Sequence, residues 1–433
     1  MGEIKRKIES DLLKWKHNAD RKPLILGGAR QVGKTHTMLH FAKTQYSDYI
    51  YVDFETNPVI SRYFKGNIEP SYILSKLESH FKKSIIPGKT LIIFDEIEQC
   101  GRALTSLKYF AQDAPEHHIM CAGSLLGVAI KSRGHSFPVG NVDGLTLHPL
   151  DFEEFLWANE ETALADFIRE SFDSAEPLDE LLHSLAIEYY FTYLETGGMP
   201  ACVNSYLVEK NPSDAIAEQN RVISNTFADI FQYADGMESM KIRMAYESIP
   251  AQLSKDNKKF QYKVAKSGGS ASYFGTSIEW LVRSGIVNKC QRIERGSGAI
   301  KAYADLSSFK LYMADTGLLN KLSGLSQDMI VRGDEKVFRG MMAENYVSQA
   351  LTANGFELNY WTSGNKAELD FVLQKAGKIT AIEVKSGTHT RSRSLDEFLK
   401  LYSPDEAYRI TMKNFGEKDR FYPIPLYATF CIN

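Results

Sequence analysis

The sequence predicts a multidomain α/β protein, and three observations carry that expectation. Short apolar runs alternate with amphipathic stretches through the first 150 residues. Helical periodicity replaces them from Pro149, and mixed α/β patterning returns from Val337 to Asn433. A length of 433 residues also exceeds what one hydrophobic core usually organises.

Pro23–Leu26, Tyr49–Asp53, Thr90–Asp95, His118–Ala122 and Gly144–Leu147 read as strands. Between them Ile73, Leu74, Leu77 and Phe81 recur at helical spacing. Strands alternating with helices call for a parallel sheet covered by helices. Further on, Leu181, Leu182, Leu185, Tyr189 and Tyr193 form an apolar helical stripe, ended by Gly197-Gly198 and Pro200. Lys241 to Asn320 reads as short helices followed by strands Ile286–Ile293 and Phe309–Ala314, the layout of a winged helix. These changes of pattern put boundaries after residues 150, 240 and 322.

A composition of 43% hydrophobic and 12% aromatic residues excludes wholesale disorder. No apolar run approaches the ~20 residues of a membrane span, and Met1–Asp20 lacks the apolar stretch of a secretory signal. Cys100, Cys121, Cys202, Cys290 and Cys431 are scattered without metal-binding spacing. The expectation is a cytoplasmic protein with no membrane partner. Its net charge of -3 conceals a split. Asp151–Glu247 holds 20 acidic and 5 basic residues, whereas Lys255–Lys310 holds 11 basic and 4 acidic ones. The basic segment is either a surface for a polyanion such as DNA or RNA or a solvated face packed near the acidic segment.

Gly28-Ala29-Arg30-Gln31-Val32-Gly33-Lys34-Thr35 matches G-x-x-x-x-G-K-[ST] at every specified position. Glycines let the chain turn so that successive N–H groups face phosphate oxygens, and the following helix adds its positive end. Lys34 is placed to reach the β- and γ-phosphates, and the Thr35 hydroxyl to ligate Mg²⁺. The second half of such a site is Leu91-Ile92-Ile93-Phe94-Asp95-Glu96. Its strand delivers Asp95 as the Mg²⁺ partner, with Glu96 to orient or deprotonate water. ATP or GTP binding is the firmest implication. Ser124, after the next strand, reads either as a γ-phosphate contact or as a helix N-cap. Arg30 and Arg133 are candidates for neutralising transition-state charge or are surface arginines.

A second cluster lies in Glu368–Lys385. A hairpin turn centred between Ala376 and Gly377 sets Asp370 opposite Glu383 and Glu368 opposite Lys385, with Leu369, Phe371, Ile382 and Val384 on the other face. Facing carboxylates repel unless compensated, and a divalent cation would compensate them. The competing reading is a cross-strand ion pair on a solvated face.

Gly28–Thr35, Phe94-Asp95-Glu96, Ala122-Gly123-Ser124, His148–Phe155 and Gly197-Gly198-Met199-Pro200 together resemble a bacterial and archaeal family of AAA-type P-loop ATPases with a C-terminal domain of unknown function. The resemblance covers nearly the whole chain. It implies an ATPase core over 1–150, a helical connector over 151–240, a winged helix over 241–322 and a PD-(D/E)xK restriction-endonuclease-like domain over 323–433. It also implies a divalent site (Mg²⁺ or Mn²⁺) at Glu344, Asp370 and Glu383 with Lys385 beside it, Leu369 replacing the motif's proline. Many relatives carry a basic residue where Asn141 follows Pro138-Val139-Gly140; if that position assists hydrolysis in the family, the expectation is slow hydrolysis or an arginine supplied by a partner, a second copy included. The reading is a Mg²⁺-dependent ATPase coupled to a nucleic-acid-binding module. Its rivals are an ATP-gated nuclease, a non-catalytic nucleotide switch with a vestigial nuclease fold and, more remotely, a small-molecule kinase.

Overall fold

The computed structural model describes residues 4–123, 137–324, 336–364, 367–387 and 393–433. They form two compact units, Arg6–His148 and Pro149–Asn433 with the residues before Arg6.

In the first unit β1 (Leu24–Gly27), β2 (Asp48–Asp53), β3 (Thr90–Asp95), β4 (His118–Ala122) and β5 (Asp143–Thr146) match the expected strands to within a residue. They make one sheet of order β2-β3-β4-β1-β5 in which every pairing is parallel. Apolar side chains cover β3 so completely that all six residues are buried. One sheet face packs Ile50, Val52, Ile92 and Phe94 against Ile73 and Leu77 of helix Pro70–Phe81 and Leu104 and Leu107 of helix Gly101–Asp113. Because all strands run the same way, the loops after β1 and β3 emerge at one carboxyl edge, where open α/β sheets bind ligands.

The second unit begins with helices. Asp151 caps helix Phe152–Ala158 by accepting from the Glu154 N–H, while Glu154 accepts from the Asp151 N–H. This reciprocal box explains the Asp-Phe-Glu-Glu spacing. In helix Glu180–Thr196 the buried stripe is rotated from the expected one: Leu181 is 81% exposed, whereas Ala186, Tyr190, Tyr193 and Leu194 are buried. The aromatic cluster of Phe152, Phe155, Tyr190, Tyr193 and Tyr346 decides which face turns inward.

Gly197 and Gly198 are required by close approach. A Cβ on Gly198 would lie 1.9 Å from the Leu150 carbonyl oxygen, and one on Gly197 would lie 2.3 Å from Asp315 Oδ1. Asp315 is buried, accepts from the Gly198 N–H at 2.7 Å and caps helix Thr316–Ser323 through the Leu318 N–H at 2.9 Å. Burial outweighs these donors and pushes its carboxyl up from 3.8 to about 6. A carboxyl raised by folding adds stability that is complete below its unfolded value and is lost as pH rises through the folded one. The stability gap between wild type and Asp315→Asn should therefore shift by about 2 kcal/mol between pH 4 and pH 7, in favour of wild type at pH 4. Urea unfolding across that range checks it, and a pH-independent gap refutes it.

Downstream, helices Gly236–Glu247, Ile249–Leu253, Tyr262–Ala265 and Ala271–Arg283 lead into the antiparallel hairpin β6 (Val287–Ile293) and β7 (Ala304–Met313). After helix Lys336–Ala353 come β8 (Asn359–Thr362), β9 (Glu368–Lys375), β10 (Lys378–Val384), β11 (Glu406–Thr411) and β12 (Tyr422–Pro425). All seven strands share a mixed sheet of order β12-β11-β10-β9-β8-β6-β7, so the hairpin before residue 322 and the strands after it are one hydrogen-bonded layer. Trp361, Leu369 and Val372 pack with Leu395 and Phe398 of helix Arg393–Tyr402.

No helix among the described residues is long and apolar enough to cross a membrane.

Candidate functional site

The loop from β1 to helix Lys34–Gln45 is shaped by backbone that side chains resist. Gly28 and Gly33 have φ of 133° and 96°, and Gln31, although not glycine, has φ of 67°. A Cβ on Gly28 would lie 2.2 Å from the Leu147 carbonyl oxygen, so only glycine lets the loop pass β5. Val32 is fully buried, and Arg6 donates to its carbonyl at 3.2 Å and to that of His148 at 2.6 Å. Lys34 folds back, donating to the carbonyls of Gly28 at 3.0 Å and Ala29 at 2.8 Å. Burial pushes its ammonium down, against the pull of Glu96, Glu98 and Asp95. Arg30 lies half-buried on the same loop.

At the carboxyl end of β3 the Thr35 hydroxyl donates to Asp95 Oδ2 at 2.7 Å. Tyr51 donates to the same oxygen at 3.0 Å, while Asp95 Oδ1 accepts from the Glu96 N–H at 3.1 Å. Burial and the neighbouring carboxylate push the Tyr51 hydroxyl up. Glu96 has φ of 48°, a left-handed conformation uncommon for a residue with a side chain. Such strain is held where the surroundings dictate it, often at reacting sites.

A nucleotide's Mg²⁺ fits these residues. The Thr35 hydroxyl and the Asp95 carboxylate are the oxygen donors such an ion prefers, and they already meet. Sequence reasoning missed Arg6 and Tyr51. Only tertiary structure brings Arg6 to the loop, and Tyr51 was legible only as a position within the expected strand Tyr49–Asp53. Asn141 bonds locally, its N–H to the Pro138 carbonyl and its side chain to the Val139 carbonyl. Ser124 and Arg133 lie outside the described residues.

The acid cluster sits in the seven-stranded sheet. The β9–β10 register is the one the turn predicts, from Lys375 opposite Lys378 to Phe371 opposite Ile382. Beyond that pair the ladder stops, and Asp370 Oδ2 accepts the Val384 N–H at 2.8 Å. The pairing of β8 with β9 is irregular over the same stretch. Leu369 consequently packs with Leu395 and Phe398 while Phe371 meets the Tyr312 ring, so these two do not share the environment that strict alternation implies.

Glu344 is engaged by Lys258, by the Tyr312 hydroxyl at 3.1 Å and by Lys310 at 3.9 Å. Lys310, fully buried, pairs with Glu368 at 2.6 Å, and Lys385 pairs with Glu383 at 3.2 Å. Burial and then the Glu344 charge push the Asp370 carboxyl up to about 7. Burial also raises Glu383, against Lys385. Among the described residues no group of three or more His, Cys, Asp or Glu is arranged to hold a metal ion. Glu344, Asp370 and Glu383 as they stand do not fit a divalent cation.

The basic segment is also altered by folding. Besides Lys258 and Lys310, Arg283 pairs with Glu279, Arg292 with Asp305 and Lys301 with Glu357. Five of its 11 basic residues are thus paired with acids within the protein, while Lys255, Lys263, Lys266 and Arg295 remain exposed.

Residues 20–156 match the family model of an AAA domain. Residues 187–329 and 339–428 match two domains of unknown function, DUF8612 and DUF4143. The first unit thus carries an AAA-type P-loop domain. No curated protein matches the chain. Among solved structures, a Walker-type ATPase of Pyrococcus abyssi is similar at 16% identity over 74% of this chain and 96% of that one, with a TM-score of 0.42. The Orc1 protein of Aeropyrum pernix in complex with DNA is similar at 11% identity over 75% and 94%, with a TM-score of 0.29. AMPPCP-bound DnaA from Aquifex aeolicus is similar at 12% identity over 65% and 89%, with a TM-score of 0.26.

Proposed function

We propose that the protein is a Mg²⁺-dependent ATPase whose nucleotide state alters how residues 241–433 engage nucleic acid. The observation that carries the ATPase reading is the 2.7 Å bond from Thr35 to Asp95, which joins the phosphate loop to the acidic strand end. Phosphate oxygens replace the Gly28 and Ala29 carbonyls as partners of Lys34, and the loop N–H groups bind the remaining charge. Thr35 and Asp95 are the residues that would hold Mg²⁺, which when bound would supply charge neutralisation at the phosphates. Glu96, next to Asp95 at the strand end, takes the proton of the attacking water.

The nucleic-acid part rests on the exposed Lys255, Lys263, Lys266 and Arg295 around a helical array and hairpin read as a winged helix. Phosphate contacts by such side chains favour DNA or RNA without reading sequence. Fluorescence anisotropy with DNA and RNA, with and without ATP and Mg²⁺, tests the coupling. The affinity should change by about 5-fold or more with ATP, the lower end of usual coupling between sites. Equal affinity in both conditions, or no binding at low salt, overturns it.

A further inference from the structure

Asp95 is buried at the end of β3, and both of its carboxylate oxygens accept hydrogen bonds. Oδ2 takes two, from the Thr35 hydroxyl at 2.7 Å and the Tyr51 hydroxyl at 3.0 Å, and Oδ1 takes the Glu96 N–H at 3.1 Å. Two of these donors come with the motifs themselves, since Thr35 ends the phosphate loop and Glu96 follows Asp95 in sequence. Tyr51 belongs to neither. It lies on β2, whose parallel register sets Tyr51 beside Ile93 and Asp53 beside Asp95. Side chains alternate along a strand, so Tyr51 shares the Asp95 face of the sheet, while Val52 and Phe94 turn to the apolar core on the other. The tyrosine hydroxyl therefore reaches the acid diagonally, from the neighbouring strand.

We infer, resting on the ATPase reading, that Tyr51 is a positioning residue for the nucleotide's Mg²⁺: its hydroxyl fixes the Asp95 carboxylate so that the Thr35 oxygen is left to the ion. A hydroxyl has one proton and two lone pairs. While Asp95 Oδ2 holds the Thr35 proton, the Thr35 lone pairs stay available to a cation. That arrangement needs a carboxylate that does not turn about its own bond. The Glu96 N–H holds one oxygen, and Tyr51 gives the other a second donor from a different strand. Partners behind a metal ligand commonly change metal affinity by about 10–100-fold when they are removed. Phenylalanine at position 51 keeps the ring and deletes only the hydroxyl, leaving Asp95 Oδ2 to Thr35.

The experiment measures how far Mg²⁺ strengthens nucleotide binding. A fluorescent, non-hydrolysable ATP analogue is titrated into the full-length protein in excess chelator and again in excess Mg²⁺, and the ratio of the two affinities is the readout. In Tyr51→Phe the affinity in chelator should stay within about threefold of wild type, whereas the ratio should fall by about 10-fold. Tyr51→Leu, the second variant without the hydroxyl, should lower the ratio alike, and thermal denaturation verifies the folding of each. Tyr51→Phe/Asp95→Asn should show the same ratio as Asp95→Asn, because Tyr51 acts through Asp95. An unchanged ratio in a folded variant overturns the inference, and so does a further fall in the double variant. Equal losses in chelator and in Mg²⁺ also overturn it, since they mark a structural role. Wild type that binds no nucleotide, or gains nothing from Mg²⁺, overturns the Mg²⁺-dependent ATPase reading as well, which no result with the Tyr51 variants can do.

Discussion

Replacing Lys34 by alanine should remove most of the protein's affinity for ATP. Lys34 is 7% exposed, and its ammonium is held by the Gly28 and Ala29 carbonyls. When phosphate replaces those carbonyls, each charge-assisted hydrogen bond contributes about 1.5–3 kcal/mol. Loss of two such bonds weakens binding by roughly 10²-fold or more. Titration with a fluorescent ATP analogue measures it directly, with thermal denaturation to show that the variant is folded. Undiminished affinity would remove ATP binding at this loop, and the ATPase reading with it.

What could be read in advance was local. The phosphate loop, its strand and its helix occupy consecutive positions, so spacing alone specified them, and β1 to β5 appeared where apolar runs were shortest and most regular. The β9–β10 register was legible for the same reason, since a tight turn fixes which residues face each other. The His148–Phe155 and Gly197–Pro200 motifs were legible as patterns but not as causes. They meet each other, with Gly198 against the Leu150 carbonyl. Counter-charges were not legible at all. Lys258 and Lys310 lie 86 and 34 residues before Glu344 and counted as surface charge until the fold brought them to it. Arg6 and Tyr51 escaped similarly, because no spacing rule links an N-terminal arginine to Val32 or a tyrosine in β2 to an aspartate in β3.

Glu96→Gln should separate binding from hydrolysis. Its position follows directly from the strand end: Asp95 is held by Thr35 and Tyr51, and Glu96 follows it in a left-handed turn. In the proposed mechanism Asp95 is committed to the metal side of the site and Glu96 takes the proton of the attacking water. Glutamine keeps the size and the hydrogen-bonding shape of glutamate but has no basic oxygen. ATP affinity should stay within about threefold of wild type, a difference below 1 kcal/mol. Phosphate release should fall by roughly 10²–10⁴-fold, the range attributed to general base catalysis. A Glu96→Gln protein that hydrolyses ATP at the wild-type rate would place the base elsewhere. A variant that instead loses ATP affinity would show that Glu96 shapes the phosphate loop through its charge near Lys34, an interaction already present in the folded chain.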